Sequence, residues 1–273
     1  MCIRDRPHGG RCEPGRTTGR RQRPRPGLGY RSLTAMFSRF VFWAMLPVSA
    51  VQGLWLRRVA RRLPGAPGER QGFTGGGTDF HLLAIGDSII DGVGIDRVEN
   101  ALPVRFAHAL AEETGQNVHW RVEGESGFGI LDVIERLDSL PEDLKVDLVL
   151  VSVGVNDVTG LSRTRYWKDM LEKFLQQLRD RWPTAVVLFA GLPPMSLFPL
   201  PPQPLRFSLG LRALTLDRIA ADVLSGSPDT LHVPTEIRPG VHGFCEDGFH
   251  PDAESCNLWA KQLAVIASRR NKA

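Results

Sequence analysis

The sequence predicts an α/β protein, a three-layer α/β/α sandwich with a mainly parallel sheet. Two observations carry this. Between residues 80 and 269, strand-like and helix-like patterns alternate, as chains of βαβ units do. Two of the strands, "VDLVLVSVG" (146–154) and "AVVLFAG" (185–191), are near-continuous apolar runs, as expected of strands covered on both faces. Right-handed crossovers then place helices on both sides of the sheet.

The elements follow in order. "FHLLAIG" (80–86) reads as the first strand. "PVRFAHALAEETG" (103–115) has apolar residues at helical spacing and stops on glycine. "NVHWRVE" (117–123) alternates as a strand, and 130–140 reads as a helix. After the strand at 146–154 comes a long amphipathic helix at 166–182, then the strand at 185–191. Residues 205–224 are helical, "TLHVP" (230–234) is a short strand, and 253–269 closes the chain as a helix. There is no internal repeat.

Upstream the chain changes character. Residues 1–35 are rich in Arg, Gly and Pro and cannot bury a core, so disorder is expected. The opening "MCIRDR" reads as translated adapter sequence, which makes this extension an artefact candidate and Met36 a candidate start. "FVFWAMLPVSAVQGLWL" (40–56) is uncharged, with Arg39 before it and "RRVARR" after it. Three readings stand for this segment: a short membrane anchor, an interfacial helix weakened by Pro47, Ser49, Gln52 and Gly53, or a signal peptide cut near "VSA" (48–50). A helix packed on the domain is the fourth. Residues 36–62 are taken as a membrane-associating segment with a basic flank, the side of the membrane being open. Residues 63–79, with early Pro and Gly and three consecutive glycines, read as a linker to a domain spanning 80–273.

The net charge of +4 conceals a division. Residues 1–65 carry fourteen arginines and two acids, a balance of +12, and the remainder carries −8. A body at −8 is a poor polyanion binder, which argues against a nucleic-acid partner despite the pI of 9.1. The four cysteines, Cys2, Cys12, Cys245 and Cys256, form no C-x-x-C pair, so a thiolate zinc site is disfavoured. Cys245 and Cys256 are read as free thiols, with a disulfide open to an exported domain.

Four short motifs fall at or beyond strand ends: Gly86-Asp87-Ser88, Gly127 in "EGESGFG", Gly154-Val155-Asn156-Asp157, and Asp247-Gly248-Phe249-His250. Singly, each is an ordinary turn or cap. In this topology all four reach the carboxyl edge of the sheet, where ligands of such sheets sit. Together they supply a serine hydrolase. A serine hydroxyl needs a base, and His250 is one. The imidazole needs its other nitrogen held, and Asp247 is three residues away. A tetrahedral oxyanion needs donors, which the N–H groups of Ser88 and Gly127 and the Asn156 amide provide.

This constellation resembles the GDSL/SGNH hydrolase superfamily, including its bacterial lysophospholipase-like esterases. Gly86-Asp87-Ser88-Ile89 matches the first block, with Ile in place of Leu. Gly127, Gly154-Val155-Asn156-Asp157 and Asp247-x-x-His250 match the other three, and the likeness covers about residues 80–270. The resemblance implies a flavodoxin-like sandwich, Ser88 as nucleophile, His250 as base, Asp247 as its orienter, Gly127 and Asn156 completing the oxyanion hole, and no metal or other cofactor. The Gly-x-Ser-x-Gly elbow of α/β-hydrolases is absent around Ser88.

Among the rivals, His242 in "PGVHGF" lacks an acid three residues before it, and His81, His108, His119 and His232 read as packed or surface histidines. A Cys245/His250/Cys256 metal site lacks a fourth ligand. Asp91 and Asp96 read as capping or solvating the loop that Gly92 and Gly94 keep thin. The segment 191–207, with six prolines, reads either as a packed surface loop or as an acyl-pocket wall. Asp87, Leu192, Met195 and Phe198 are the pocket candidates. The expected function is a serine esterase acting on a lipid-like or short acyl ester. A carbohydrate O-acetylesterase and a membrane-tethered, non-catalytic binding protein on the same fold are the alternatives.

Overall fold

Six strands form one sheet: β1 (Gln71–Thr74), β2 (Asp79–Gly86), β3 (Asn117–Gly124), β4 (Leu148–Ser152), β5 (Val186–Ala190) and β6 (Thr230–Val233). The computed structural model describes residues 47–56, 58 and 61–270, which belong to one compact unit, Phe42–Ala273. The expectations for 1–35 and for the start of the apolar segment lie outside the described residues.

The sheet order is β1-β3-β2-β4-β5-β6, parallel except for β1. Numbered by themselves, the parallel strands run 2-1-3-4-5, the flavodoxin-like order. Alternate residues of the central strands serve opposite faces. Leu82 and Ala84 of β2 and Leu148 and Leu150 of β4 join the core beneath α3 (Leu102–Thr114) and α8 (Ala253–Arg270). Leu83, Ile85, Val149 and Val151 join the core beneath α4 (Ile130–Asp138), α6 (Thr164–Arg181) and α7 (Leu205–Leu224). Apolar residues on both faces of one strand are what the continuous runs in the sequence require.

Local signals set the helix limits. Pro103 stands in the first turn of α3, and Gly115 ends it at φ 70°, a left-handed cap natural to glycine. An Asp252 carboxylate oxygen accepts the Ser255 N–H at 2.8 Å and opens α8. In α6, Trp167, Leu171, Phe174, Leu175 and Leu178 form the buried stripe.

The register decides where the loops emerge. Gly86, the last residue of β2, pairs with Gly124 of β3 on one side and Ser152 of β4 on the other. The three central strands therefore end level, and the loops that follow them share one edge.

Two upstream stretches take on definite structure. The expected linker, 63–79, contains β1, which pairs antiparallel with β3. Its four residues have no apolar period; pairing with β3, not local propensity, forms the strand. Just before it, Ala66 is buried, its N–H donates to the Asp91 carbonyl at 3.0 Å, and Arg70 pairs with the Asp91 carboxylate at 2.7 Å. Asp91 thus ties this strap to the loop after Ser88. The other stretch is α1 (47–56), a helix laid against α7. Ser49, Gln52, Gly53 and Leu56 face the body, whereas Val48, Val51, Leu54 and Trp55 are exposed. No helix among the described residues is long and apolar enough to cross a membrane.

Candidate active site

The turn after β2 is held by close backbone contact. A Cβ on Gly86 would lie 1.9 Å from the Ser152 carbonyl oxygen, so only glycine fits. The next residue, Asp87, donates its N–H to that same carbonyl at 2.9 Å. Its side chain accepts the Ile89 N–H at 3.1 Å and caps α2 (Ser88–Asp91). Ser88 is then the first residue of a helix, where its N–H has no intrahelical acceptor to serve. Gly92, at φ 71°, closes that short helix.

Across the edge lies the loop before α8. His250 Nε2 stands 2.9 Å from Ser88 Oγ, and His250 Nδ1 stands 2.6 Å from an Asp247 carboxylate oxygen. The other Asp247 oxygen accepts the N–H groups of Phe249 at 2.9 Å and His250 at 3.0 Å. Burial raises the Asp247 pKa, but the hydrogen bonds from the His250 ring and from the two N–H groups outweigh it and hold the carboxyl below its ordinary value. The imidazole is braced from behind. The Phe249 ring meets Phe198 edge-on at 5.0 Å and lies 5.4 Å from the His250 ring.

The third side comes from the ends of β3 and β4. A Cβ on Gly124 would lie 2.4 Å from the Asp91 nitrogen, so β3 packs directly on α2. The Glu125 N–H donates to the Gly86 carbonyl at 3.3 Å and holds the loop carrying Gly127 beside Ser88's strand. Gly127 has φ 97°, and a Cβ there would meet nothing within 4 Å among the described residues. Its backbone therefore needs glycine for conformation, and the space beside it is open. Asn156, in α5 (Val155–Thr159), donates one amide hydrogen to the Phe128 carbonyl at 2.9 Å and keeps a second. Asp157, buried beside it, accepts the Ile130 N–H at 3.0 Å and the Ser162 hydroxyl at 2.8 Å. It joins the start of α4 to the end of α5 and so fixes Phe128 and Asn156 relative to each other. Burial pushes the Asp157 pKa up.

Of these groups, Asn156, Asp247, Phe249 and His250 line a cleft of about 480 Å³. Asn156, Asp247 and His250 line one side; Leu56, Leu200, Leu205, Leu209 and Phe249 give it apolar walls, with Arg61 and Arg62 at its rim. The structure thus brings Ser88, Asp247 and His250 into contact and sets Asn156 in the same cleft. The pocket candidates fare differently. Asp87 is fully buried under the turn, and burial pushes its pKa up to about 7. Leu192, Met195 and Phe198 are core residues and none lines this cleft; Phe198 lines a separate cavity with Phe244, Phe249 and Trp259. The segment 191–207 contributes Leu200 and Leu205 instead, because the Leu200 N–H bonds to the Gly248 carbonyl at 3.1 Å and brings the loop to the histidine turn. His242 accepts the Arg238 N–H through Nδ1 at 3.0 Å and does not line the cleft. Cys245 and Cys256 are free thiols. Sequence reasoning missed Gly53 and Leu56, which line the cleft from α1, and Asp157, whose signal was an acid directly after Asn156.

A hydroxyl facing an imidazole held by a buried carboxylate, at the switch point of a flavodoxin-like sheet, is the arrangement that serine-hydrolase chemistry requires. Comparison with known proteins agrees. The chain belongs to the GDSL-like lipase/acylhydrolase family, whose model matches residues 84–255. It is similar to a GDSL-like esterase of Mycobacterium tuberculosis, with 28% identity over 205 residues, which are 70% of this chain and 62% of the relative. The chain therefore spans under two thirds of that relative's length. Among solved structures, the fold is similar to a carbohydrate esterase family 2 enzyme of Corynascus thermopiles (Myceliophthora fergusii), with 18% identity, a TM-score of 0.56, and 76% and 69% of the two chains covered. It is also similar to a carbohydrate acetylesterase from Sinorhizobium meliloti, with 20% identity, a TM-score of 0.54, and 70% and 99% covered. At these identities the structural likeness speaks for the fold alone.

Proposed function

We propose that this chain is a serine carboxylic-ester hydrolase. The observation that carries the reading is the unbroken contact from Asp247 through His250 to Ser88. With the ring hydrogen on Nδ1 facing Asp247, Nε2 accepts the Ser88 hydroxyl. As Ser88 Oγ bonds to the ester carbonyl carbon, its proton moves to His250 Nε2 and the carbonyl electrons move to oxygen. The ionised Asp247 stabilises the imidazolium. The N–H groups of Ser88 and Gly127 and the free Asn156 hydrogen receive the oxyanion, each such donor being worth about 10²–10³ in rate. Collapse expels the alkoxide, which takes the proton from Nε2. Water then repeats the cycle on the acyl-enzyme, its proton passing through Nε2 back to Ser88 Oγ.

The apolar walls of Leu56, Leu200, Leu205, Leu209 and Phe249 favour a lipid-like acyl ester; beyond Asn156, Asp247 and His250, the polar side chains of the cleft are Arg61, Arg62 and Thr159. The outer face of α1 supports a membrane-surface location, because Val48, Val51 and Trp55 are exposed there.

The test is hydrolysis of p-nitrophenyl esters from acetate to laurate by the protein and its Ser88→Ala and His250→Ala variants. Loss of turnover in both, by about 10⁴–10⁶, is expected. A profile confined to acetate would favour the carbohydrate acetylesterase, and no turnover by the folded wild type would leave the non-catalytic binding protein.

A further inference from the structure

A second cavity, of about 310 Å³, lies under α1 beyond the catalytic cleft. It is lined by Ala50, Leu54, Leu161 and Ser208, among others. Four residues, Gly53, Thr159, Leu205 and Leu209, line both spaces. The two chambers are therefore neighbours divided by these four residues, with His250 and Asn156 lining only the first and Leu54 and Leu161 only the second. Both volumes fall in the range of ligand pockets, about 300–1,000 Å³.

Two features of this junction have no explanation in packing. Gly53 sits inside a helix, where glycine costs about 1 kcal/mol relative to alanine. Yet among the described residues a Cβ there would meet nothing within 4 Å, so no described neighbour forces the glycine. Leu161, at the far end, is held at φ 60° and is 59% exposed. A bulky residue in the left-handed region carries strain, and such strain gathers at functional sites. An open junction kept clear by a missing side chain, and a strained leucine presented to the far chamber, both fit a channel for a chain-like apolar ligand.

We infer that the acyl chain of the ester substrate runs from Ser88 through the cleft and past Gly53 into the groove between α1 and α7. On this account α1 is part of the substrate site: its inner, small and polar face leaves room for the chain. The occupant is an acyl group long enough to pass Gly53, and the argument for it is that the groove shares four lining residues, one of them without a side chain, with the catalytic cleft. This inference rests on the esterase reading.

The experiment compares kcat/KM for p-nitrophenyl dodecanoate and butyrate in the full chain and in two variants. Gly53→Leu places a side chain in the junction and raises helix propensity, so folding is not at stake. Leu161→Asp places a charge in the far chamber, and aspartate tolerates the left-handed backbone better than leucine. The dodecanoate-to-butyrate ratio is expected to fall about 10- to 100-fold in each, against a wild type that accepts both esters. A wild type active on butyrate with an unchanged ratio in both variants overturns the channel and leaves the esterase intact. A wild type active only on acetate does the same. A wild type inert towards every ester overturns both.

Discussion

Among the described residues, two part-buried histidine–aspartate pairs have nearly equal contact distances. Nδ1 of His250 meets Asp247 at 2.6 Å, and Nε2 of His232 meets Asp217 at 2.8 Å. What differs is the remainder of each constellation. The free nitrogen of His250 faces the Ser88 hydroxyl and an open cleft. His232 stacks on Phe189 within the β5–β6 layer, and the Asp217 oxygen that binds it also accepts the Leu192 N–H at 2.8 Å. Asp217 and His232 thus anchor the chain where β5 ends. A histidine–carboxylate contact is a structural staple until its second nitrogen has a hydroxyl to act on.

That contrast can be broken at several points, and the largest effect belongs to the catalytic pair. Asp247→Asn keeps the shape but removes the charge that stabilises an imidazolium. A fall in kcat of about 10⁴ is expected with melting temperature little changed. A variant retaining a tenth of wild-type kcat would place Asp247 with Asp217 as a staple.

Asp87 sharpens the comparison, because it is a buried carboxylate beside Ser88 with no imidazole. One of its oxygens has no partner among the described residues, and burial raises its pKa from 3.8 to about 7. Below about pH 4 the folded and unfolded chains both hold this proton. Between about 4 and 7 only the unfolded chain releases it, so the Asp87 contribution to stability falls as pH rises and levels off above 7. Asp87→Asn cannot titrate. Its stability relative to wild type should climb across that window by up to about 3–4 kcal/mol, read from urea denaturation at a series of pH values. A pH-independent difference would remove the buried-acid account.

The smallest effect is expected at the second pair. Asp217→Ala leaves the Leu192 N–H and His232 without their partner, which should cost about 1–3 kcal/mol of stability. Turnover by the folded enzyme should stay within about threefold. A loss of kcat comparable to that of Asp247→Asn would mean the two pairs are not distinct in kind.

Much of this was legible in the sequence. The β-branched runs marked β4 and β5 because strands covered on both faces need apolar residues throughout, and Asp247, His250 and Ser88 were marked by residue type and spacing. Other parts depend on contacts that no local pattern encodes. β1 exists through its pairing with β3, and its Gly-rich surroundings read as a linker. Leu192, Met195 and Phe198 read as pocket residues because an apolar side chain in a proline-rich loop looks the same whether it fills the core or lines a cleft. The orientation of α1 was equally hidden. Its apolar residues suggested burial or a membrane, whereas Ser49, Gln52 and Gly53, which weakened the run, are the ones that face the body.

The central claim is that Ser88, activated by His250, attacks the acyl carbon. The most direct measurement is intact and peptide mass spectrometry after treating the folded protein with a fluorophosphonate. The account predicts one adduct, on Ser88, absent in Ser88→Ala and strongly slowed in His250→Ala. A folded wild type that stays unlabelled, or carries the adduct on another residue, would contradict it.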